Sequence, residues 1–298
     1  MRHVVTLIAA LFSVTTAVAQ PLLTPRHSPV PGGIAVIPLT TTSAERPTAH
    51  YQSKRVMVVG DAGHWQAVIG IPLDTTPGEQ ALEVSVPSSA AQQLSFAVQA
   101  KEYETQHLTV TNKRMVDPTA KDLLRIEKET KIIQAALRHF SEADAVPLDF
   151  TPPVQGPLSS PFGLRRFFND QPRKPHSGLD LAAPKGTPIK APAAGTVIAV
   201  GNFFFNGNTV VLDHGQGLIS MYSHMDRIKV KEGQHVTLGT LLGAVGMTGR
   251  VTGPHLHWTV SLNDTRVDPM LMFSEQTLAH LSAPKNLEAA HGAPNGHE

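Results

Sequence analysis

The sequence predicts a mostly β protein: an N-terminal β-sandwich, one helical connector and a C-terminal sheet domain. Three observations carry this reading. Short apolar runs rich in β-branched residues recur from Gly32 to about Thr111, separated by turn signals such as Gly60-Asp61 and Asp74 to Gly78. A single stripe of apolar residues at steps of three and four then runs from Leu123 to Phe140. Beyond it strand-and-turn patterning resumes to Leu262, with no convincing helical period.

The 298 residues suffice for two domains with their own cores, and 41% hydrophobic against 16% charged residues marks a globular chain. A formal charge of +1 argues against a general nucleic-acid binder. The absence of cysteine removes disulfides, thiolate metal sites and cysteine nucleophiles together.

Residues 1–19 place Arg2 before an apolar run that ends in Ala17-Val18-Ala19, which predicts a signal peptide cut before Gln20. Ser13, Thr15 and Thr16 interrupt the run, and it falls short of the ~20 apolar residues of a spanning helix, so cleavage is expected over anchoring. The mature protein is expected to be exported, with a periplasmic location favoured over secretion.

The sandwich is assigned to residues 20–112, with strands at 34–39, 55–59, 65–71, 81–86, 94–99 and 107–111. It carries no visible chemistry, and His64 and His107 read as structural. Asp117-Pro118 is expected to open the helix, with Asp as the cap and Pro in the first turn. Leu123, Ile126, Thr130, Ile133, Leu137 and Phe140 form its packing stripe, and Arg125, Lys128, Lys131 and Arg138 its solvated face. Connector and linker span 113–155, with 143–157 as a proline-containing lead into a domain at 156–273. Its strands are expected at 188–189, 195–200, 209–213, 218–222, 240–245 and 257–262. A short helix at 274–281 then precedes a tail, and 274–298 as a whole is expected to be largely disordered. His291 and His297 lie in that tail, embedded in Gly, Ala, Pro and Asn, and do not read as a metal site.

Chemistry concentrates in residues 246–258, GMTGRVTGPHLHW. After the Gly253-Pro254 turn, His-Leu-His-Trp-Thr-Val reads as a strand, so His255 and His257 point to one face. Upstream, His176-Ser-Gly-Leu-Asp180 offers an imidazole and a carboxylate, read as i and i+4 on one strand face, and Tyr222-Ser-His224 adds a further imidazole. Nitrogen and oxygen ligands of these types are what a catalytic zinc uses, with one position left to water. No H-E-x-x-H is present, so proton transfer would fall to histidine, whose pKa of ~6.5 suits it.

These segments, with 161–197 (PFGLRRFFNDQPRKPHSGLDLAAPKGTPIKAPAAGTV) and 208–225 (NTVVLDHGQGLISMYSHM), resemble the lysostaphin-like (LytM-type) zinc metalloendopeptidases. The resemblance covers roughly 156–273 and implies an antiparallel-sheet metallopeptidase domain with loops forming a groove. It places the ligands of one zinc ion per chain on His176, Asp180 and His257, and the catalytic histidines on His224 and His255. The runs PGGIAVIPL, WQAVIGIPL and PGEQALEV resemble the β-sandwich that precedes some periplasmic members.

The activity so implied is hydrolysis of peptidoglycan peptide cross-links, at the bond from D-alanine to meso-diaminopimelate. The alternatives are a non-catalytic member that activates a cell-wall amidase, and an endopeptidase of protein substrates. Peptidoglycan stems are the expected partner, with the N-terminal domain either restricting the groove or positioning substrate. Phe167-Phe168 and Phe203 to Phe205 either wall the groove or enter the core. His214 reads as a turn residue, and His235 as exposed.

Overall fold

The computed structural model describes residues 25–86, 89–109 and 113–282. The predicted signal peptide lies outside the described residues, as do positions 283–298 of the tail. Among the described residues no helix is long and apolar enough to cross a membrane.

Six N-terminal strands form one antiparallel sheet: β1 (Ile34–Pro38), β2 (Thr48–Tyr51), β3 (Lys54–Val59), β4 (Gln66–Gly70), β5 (Gly78–Ser85) and β6 (Gln92–Val98), in the order β1-β4-β3-β2-β5-β6. Strand β3 pairs with β2 through its first half and with β4 through its second, so the sheet doubles over at β3. Ala35, Ala67, Ile69, Leu82, Val84 and Phe96 meet between the halves, which is the expected sandwich. Strand β2 escapes the pattern reading. Its hairpin to β3 turns on Gln52 and Ser53 at φ 49° and 62°, without the glycine or asparagine that advertises such turns.

The outer face of β1, β3 and β4 is also apolar, and it packs on the C-terminal domain. Ile34, Met57, Val59 and Val68 join one core with Val260, Leu262, Val267 and Met272. Gly70 donates to Asn263 Oδ1 at 2.7 Å, and Asn263 Nδ2 donates back to Gly70 O at 3.1 Å. A Cβ at Gly70 would crowd the Leu262 carbonyl at 2.9 Å, so glycine permits the close approach.

The expected last sandwich strand at 107–111 is a correction over its described part, since 110 and 111 lie outside the described residues. Strand β7 (Thr105–Leu108) leaves the sandwich and pairs in parallel with β9 (Arg165–Phe168) of the C-terminal domain, with β10 (Gln171–Pro172) completing a three-stranded sheet. The composition of β7 suits either sheet, and only the docking of the domains offers β9 as its neighbour.

Helix α1 (Ala120–Leu137) begins two residues later than expected. Thr119, rather than Asp117, is the N-cap, in a capping box with Asp122. Arg114 also pairs with the Asp122 carboxylate. Only the C-terminal half of the stripe is covered: Ala136 and Leu137 pack with Ala199, Val211, Ile219 and Met221, while Leu123 stays 54% exposed. Arg125, assigned to the solvated face, donates to Asn202 O at 3.0 Å, and Glu129 accepts from Phe204 N at 2.7 Å. The presumed linker after the helix is no loose tether. Leu148, Phe150 and Val154 are buried in the C-terminal core, and Phe150 N donates to Met272 O at 2.9 Å. At the end of the domain the expected short helix forms as α2 (Glu275–Ser282), so 274–282 is ordered structure rather than tail.

The C-terminal sheet is antiparallel throughout. Its strands are β8 (Leu158–Ser160), β11 (Leu179–Ala182), β12 (Pro188–Lys190), β13 (Gly195–Phe203), β14 (Gly207–Asp213), β15 (Ile219–Ile228), β16 (His235–Val236), β17 (Leu241–Val245), β18 (His255–Leu262) and β19 (Thr265–Val267). The main path runs β16-β13-β14-β15-β18-β11-β8, with β17 on β15 and β12 and with β19 on β18. Strand β18 is therefore central, flanked by β11 and β15, and this adjacency assembles the site.

Candidate metal centre and active site

Strands β11 and β18 run antiparallel in a register that sets Asp180 opposite His257 and Ala182 opposite His255. On the other side, Ser223 of β15 lies opposite His257. The sheet thus brings together side chains that lie 77 residues apart in the chain.

His176 is not on the strand, contrary to the i, i+4 reading. It lies in the loop before β11, tied by its backbone N to Leu164 O at 2.9 Å. Its Nδ1 donates to Pro161 O at 2.7 Å, which turns Nε2 inward. His257 shows the mirror arrangement: Nε2 faces Thr259 Oγ1 at 3.1 Å, leaving Nδ1 inward. Gly178 makes room, since a Cβ there would meet the His257 ring at 2.7 Å.

The inward atoms converge. His176 Nε2 lies 3.0 Å and His257 Nδ1 2.7 Å from Asp180 Oδ1, and the two nitrogens are 3.1 Å apart. Among the described residues this is the group of His, Asp and Glu side chains able to hold an ion. Once the outer N–H groups are given to Pro161 and Thr259, the two rings present lone pairs towards a carboxylate. Such an arrangement calls for a cation. A tetrahedral zinc with bonds of ~2.1 Å would space its ligands ~3.4 Å apart, within a small side-chain adjustment of what is seen. The three residues fit zinc, and the nitrogen and oxygen donors match its preference.

The electrostatics agree. Burial pushes His257 down to about 4, against the opposing pull of Asp180, so its imidazole is neutral. For Asp180, burial works to raise the pKa, but the imidazoles of His176 and His257 set against its Oδ1 outweigh it and hold the carboxyl far below the usual range. Its other oxygen accepts from Arg166 Nη2 at 2.8 Å, and Arg166 also bonds Ser160 and Gln106.

His224 and His255 complete the pocket. His224 sits at φ 64°, a conformation that costs a β-branched or bulky residue free energy, at an irregularity in the pairing of β14 with β15. Its Nδ1 donates to Thr248 O at 2.8 Å, and burial, then the neighbouring His257 and His255, push its pKa down to about 3. His255 Nδ1 bonds Gly253 O at 2.9 Å, and its Nε2 lies 3.9 Å from Asp180 Oδ1. The His224 and His255 rings are 5.0 Å apart. The five expected residues therefore meet at one place, three around a point and two beside it.

Arg166, Arg250, Leu108 and Thr259 also belong to this surrounding, and the motif reading missed them. Thr259 was within reach, because it stands two residues after His257 on the same strand face. The others come from separate loops and strands and carry no local signal. The aromatic residues divide their roles: Phe168 and Phe205 flank Arg250 at the pocket, while Phe203 and Phe204 are buried beside α1 and β13. His214 is buried away from the pocket, its Nδ1 on Ala194 O at 2.6 Å and its Nε2 on Ser220 at 2.7 Å. His64 pairs with exposed Asp61 and His107 stacks on Phe167, both away from the metal ligands.

An antiparallel sheet bearing a buried His-Asp-His cluster, with two further imidazoles beside it, defines a mononuclear metal centre of the hydrolytic kind. Comparison with known proteins narrows the class. Residues 174–269 match the model of peptidase family M23, and residues 27–101 match that of the M23 N-terminal domain. A crystal structure of a Pseudomonas aeruginosa protein assigned to peptidase M23 is 49% identical, with a TM-score of 0.70, over 83% of this chain and 95% of that one. The chain belongs to peptidase family M23.

Curated relatives include the DD-carboxypeptidase/endopeptidase Mpg of Neisseria meningitidis serogroup B, 40% identical over 119 residues, 40% of this chain. The peptidoglycan DD-endopeptidase ShyA of Vibrio cholerae is 41% identical over 114 residues, 38% of this chain. The matches cover 27% and 26% of those relatives, about a quarter of their length.

Proposed function

We propose that this protein is a zinc-dependent endopeptidase that hydrolyses peptide cross-links of peptidoglycan, a D,D-endopeptidase acting at the bond from D-alanine to meso-diaminopimelate. The observation that carries the reading is the register of β11 on β18, which sets Asp180 against His257 while His224 and His255 face the same pocket. The peptidoglycan DD-endopeptidase names of the relatives support the substrate class. Action on the wall also accords with export and a periplasmic location, as the signal-peptide pattern of residues 1–19 suggests.

His176, Asp180 and His257 would hold the ion. When bound, zinc supplies Lewis acidity that activates a water and polarises the peptide carbonyl. Arg166 fixes the second oxygen of Asp180, so the carboxylate keeps its orientation. His224 and His255 each give Nδ1–H to a backbone carbonyl, which leaves Nε2 as the proton-accepting atom. One of them takes a proton from the attacking water, whose oxygen bonds to the carbonyl carbon. The proton then passes to the departing amine as the carbon–nitrogen bond breaks.

Digestion of purified muropeptides, with and without a chelator, tests the reading. Cross-linked dimers are expected to become monomers, the activity to vanish with chelator and to return with zinc. Intact dimers with zinc-loaded protein, or release of whole stem peptides from the glycan, would refute it.

A further inference from the structure

Arg250 stands in the loop between β17 and β18 and lines the same pocket as Asp180, His224, His255 and His257. Its guanidinium carbon lies 4.3 Å from the Phe205 ring centre and 4.9 Å from that of Phe168, so two aromatic faces hold it in place. Among the described residues its side chain makes no hydrogen bond or ion pair. The nearby cations compete with it rather than relieve it. Arg166 takes the free oxygen of Asp180, and Arg173 spends its donors on Val116 O, Pro172 O and Gln171 Oε1. Burial, then Arg173 and Arg166, push the Arg250 pKa down to about 10, still charged at neutral pH.

A mostly buried cation without a counter-charge is costly, and proteins pair such groups. Aromatic contact accounts for where the guanidinium sits but not for why a charge is kept at the mouth of a reaction pocket. Its planar fork matches a carboxylate through two parallel hydrogen bonds. We propose that Arg250 binds a carboxylate of the substrate peptide and thereby sets specificity for the acidic form of the cross-link. This rests on the endopeptidase reading above. There the departing amine of meso-diaminopimelate carries a free carboxylate on the adjacent carbon, which Arg250 would grip beside the reacting amide.

The test uses two cross-linked muropeptide dimers that differ only at that carboxyl, one free and one amidated, with zinc-loaded full-length protein. Wild type is expected to prefer the free acid by roughly tenfold to a hundredfold in kcat/KM, the worth of a charge-assisted hydrogen bond. In Arg250→Gln the ratio should collapse towards one, mainly through KM, with zinc still at one per chain. Arg250→Lys, which keeps charge but not the fork, should fall between, and it decides the matter should the Gln variant fail to fold. Inhibition by the released peptide, in acid and amide forms, should show the same loss of discrimination without any turnover. Equal cleavage of both dimers by wild type, or an undiminished ratio in Arg250→Gln, overturns the role of Arg250 alone. Failure of wild type to cut either dimer overturns the endopeptidase reading and this assignment with it.

Discussion

Replacing Thr259 with Val removes one hydroxyl and preserves the shape of a fully buried β-branched side chain on β18. That hydroxyl faces His257 Nε2 at 3.1 Å. With it, the imidazole can give its Nε2 proton to the hydroxyl, and Nδ1 would be free to take the ion. Without it, the ring must bury an unsatisfied N–H or move its proton to Nδ1, where it blocks the ligand atom. Outer partners of metal-bound histidines are worth about tenfold to a hundredfold in metal affinity. That range corresponds to about 1.4–2.7 kcal/mol, comparable to the cost of a buried donor left unmade. Zinc affinity measured by chelator competition should fall by that factor in Thr259→Val. Thr259→Ser, which restores the oxygen, should recover most of it. An affinity within threefold of wild type in the Val variant would show that Thr259 does not orient the ligand.

Asp180→Ala is expected to lose zinc on dialysis, because two neutral ligands remain and Arg166 is left without its carboxylate; His224→Ala and His255→Ala should retain one zinc yet lose about a hundredfold to ten-thousandfold in turnover, checked by metal analysis beside muropeptide kinetics. Acidification should destabilise the fold through His214. Its pKa is pushed down to about 4 by burial, so the folded state holds it neutral while the unfolded chain protonates below ~6.5. The stabilisation is complete above pH 6.5 and is lost as pH falls towards 4, by about 2 kcal/mol at pH 5 from linkage. Denaturant unfolding at pH 7.5 and pH 5 should show this extra loss in wild type relative to His214→Gln, and parallel losses would reject it. Leu108 of β7, contributed by the N-terminal half of the chain, walls the narrow pocket that Asp180, His224, His255 and His257 line. Leu108→Ala should therefore speed cleavage of soluble muropeptides at unchanged zinc content, whereas equal or slower cleavage would assign the strand to substrate positioning or stability.

Local chemistry made much of this protein legible from its residues. Alternating β-branched runs between glycines and prolines specify strands wherever they later pair, which is why both sheet domains were readable. The ligand types were readable too, since His-x-His on a strand must share a face and an Asp four residues from a His supplies the oxygen. Register and neighbourhood were not. Nothing local in 179–182 says that Asp180 will stand opposite His257, because that depends on β11 choosing β18 as its partner. The position of His176 is set by Leu164 and Pro161, residues of a different loop, rather than by strand geometry. Residues 107–111 read as one more sandwich strand, yet the strand that forms is Thr105–Leu108, and its edge is satisfied by β9 across the domain boundary. Arg250 gains its meaning only where Phe168 and Phe205, from two other segments, close around it. Backbone propensity and side-chain type act over a few residues and are written in the chain itself. Pairing, burial and the field around a charge arise between distant segments, and the tertiary structure alone decides them.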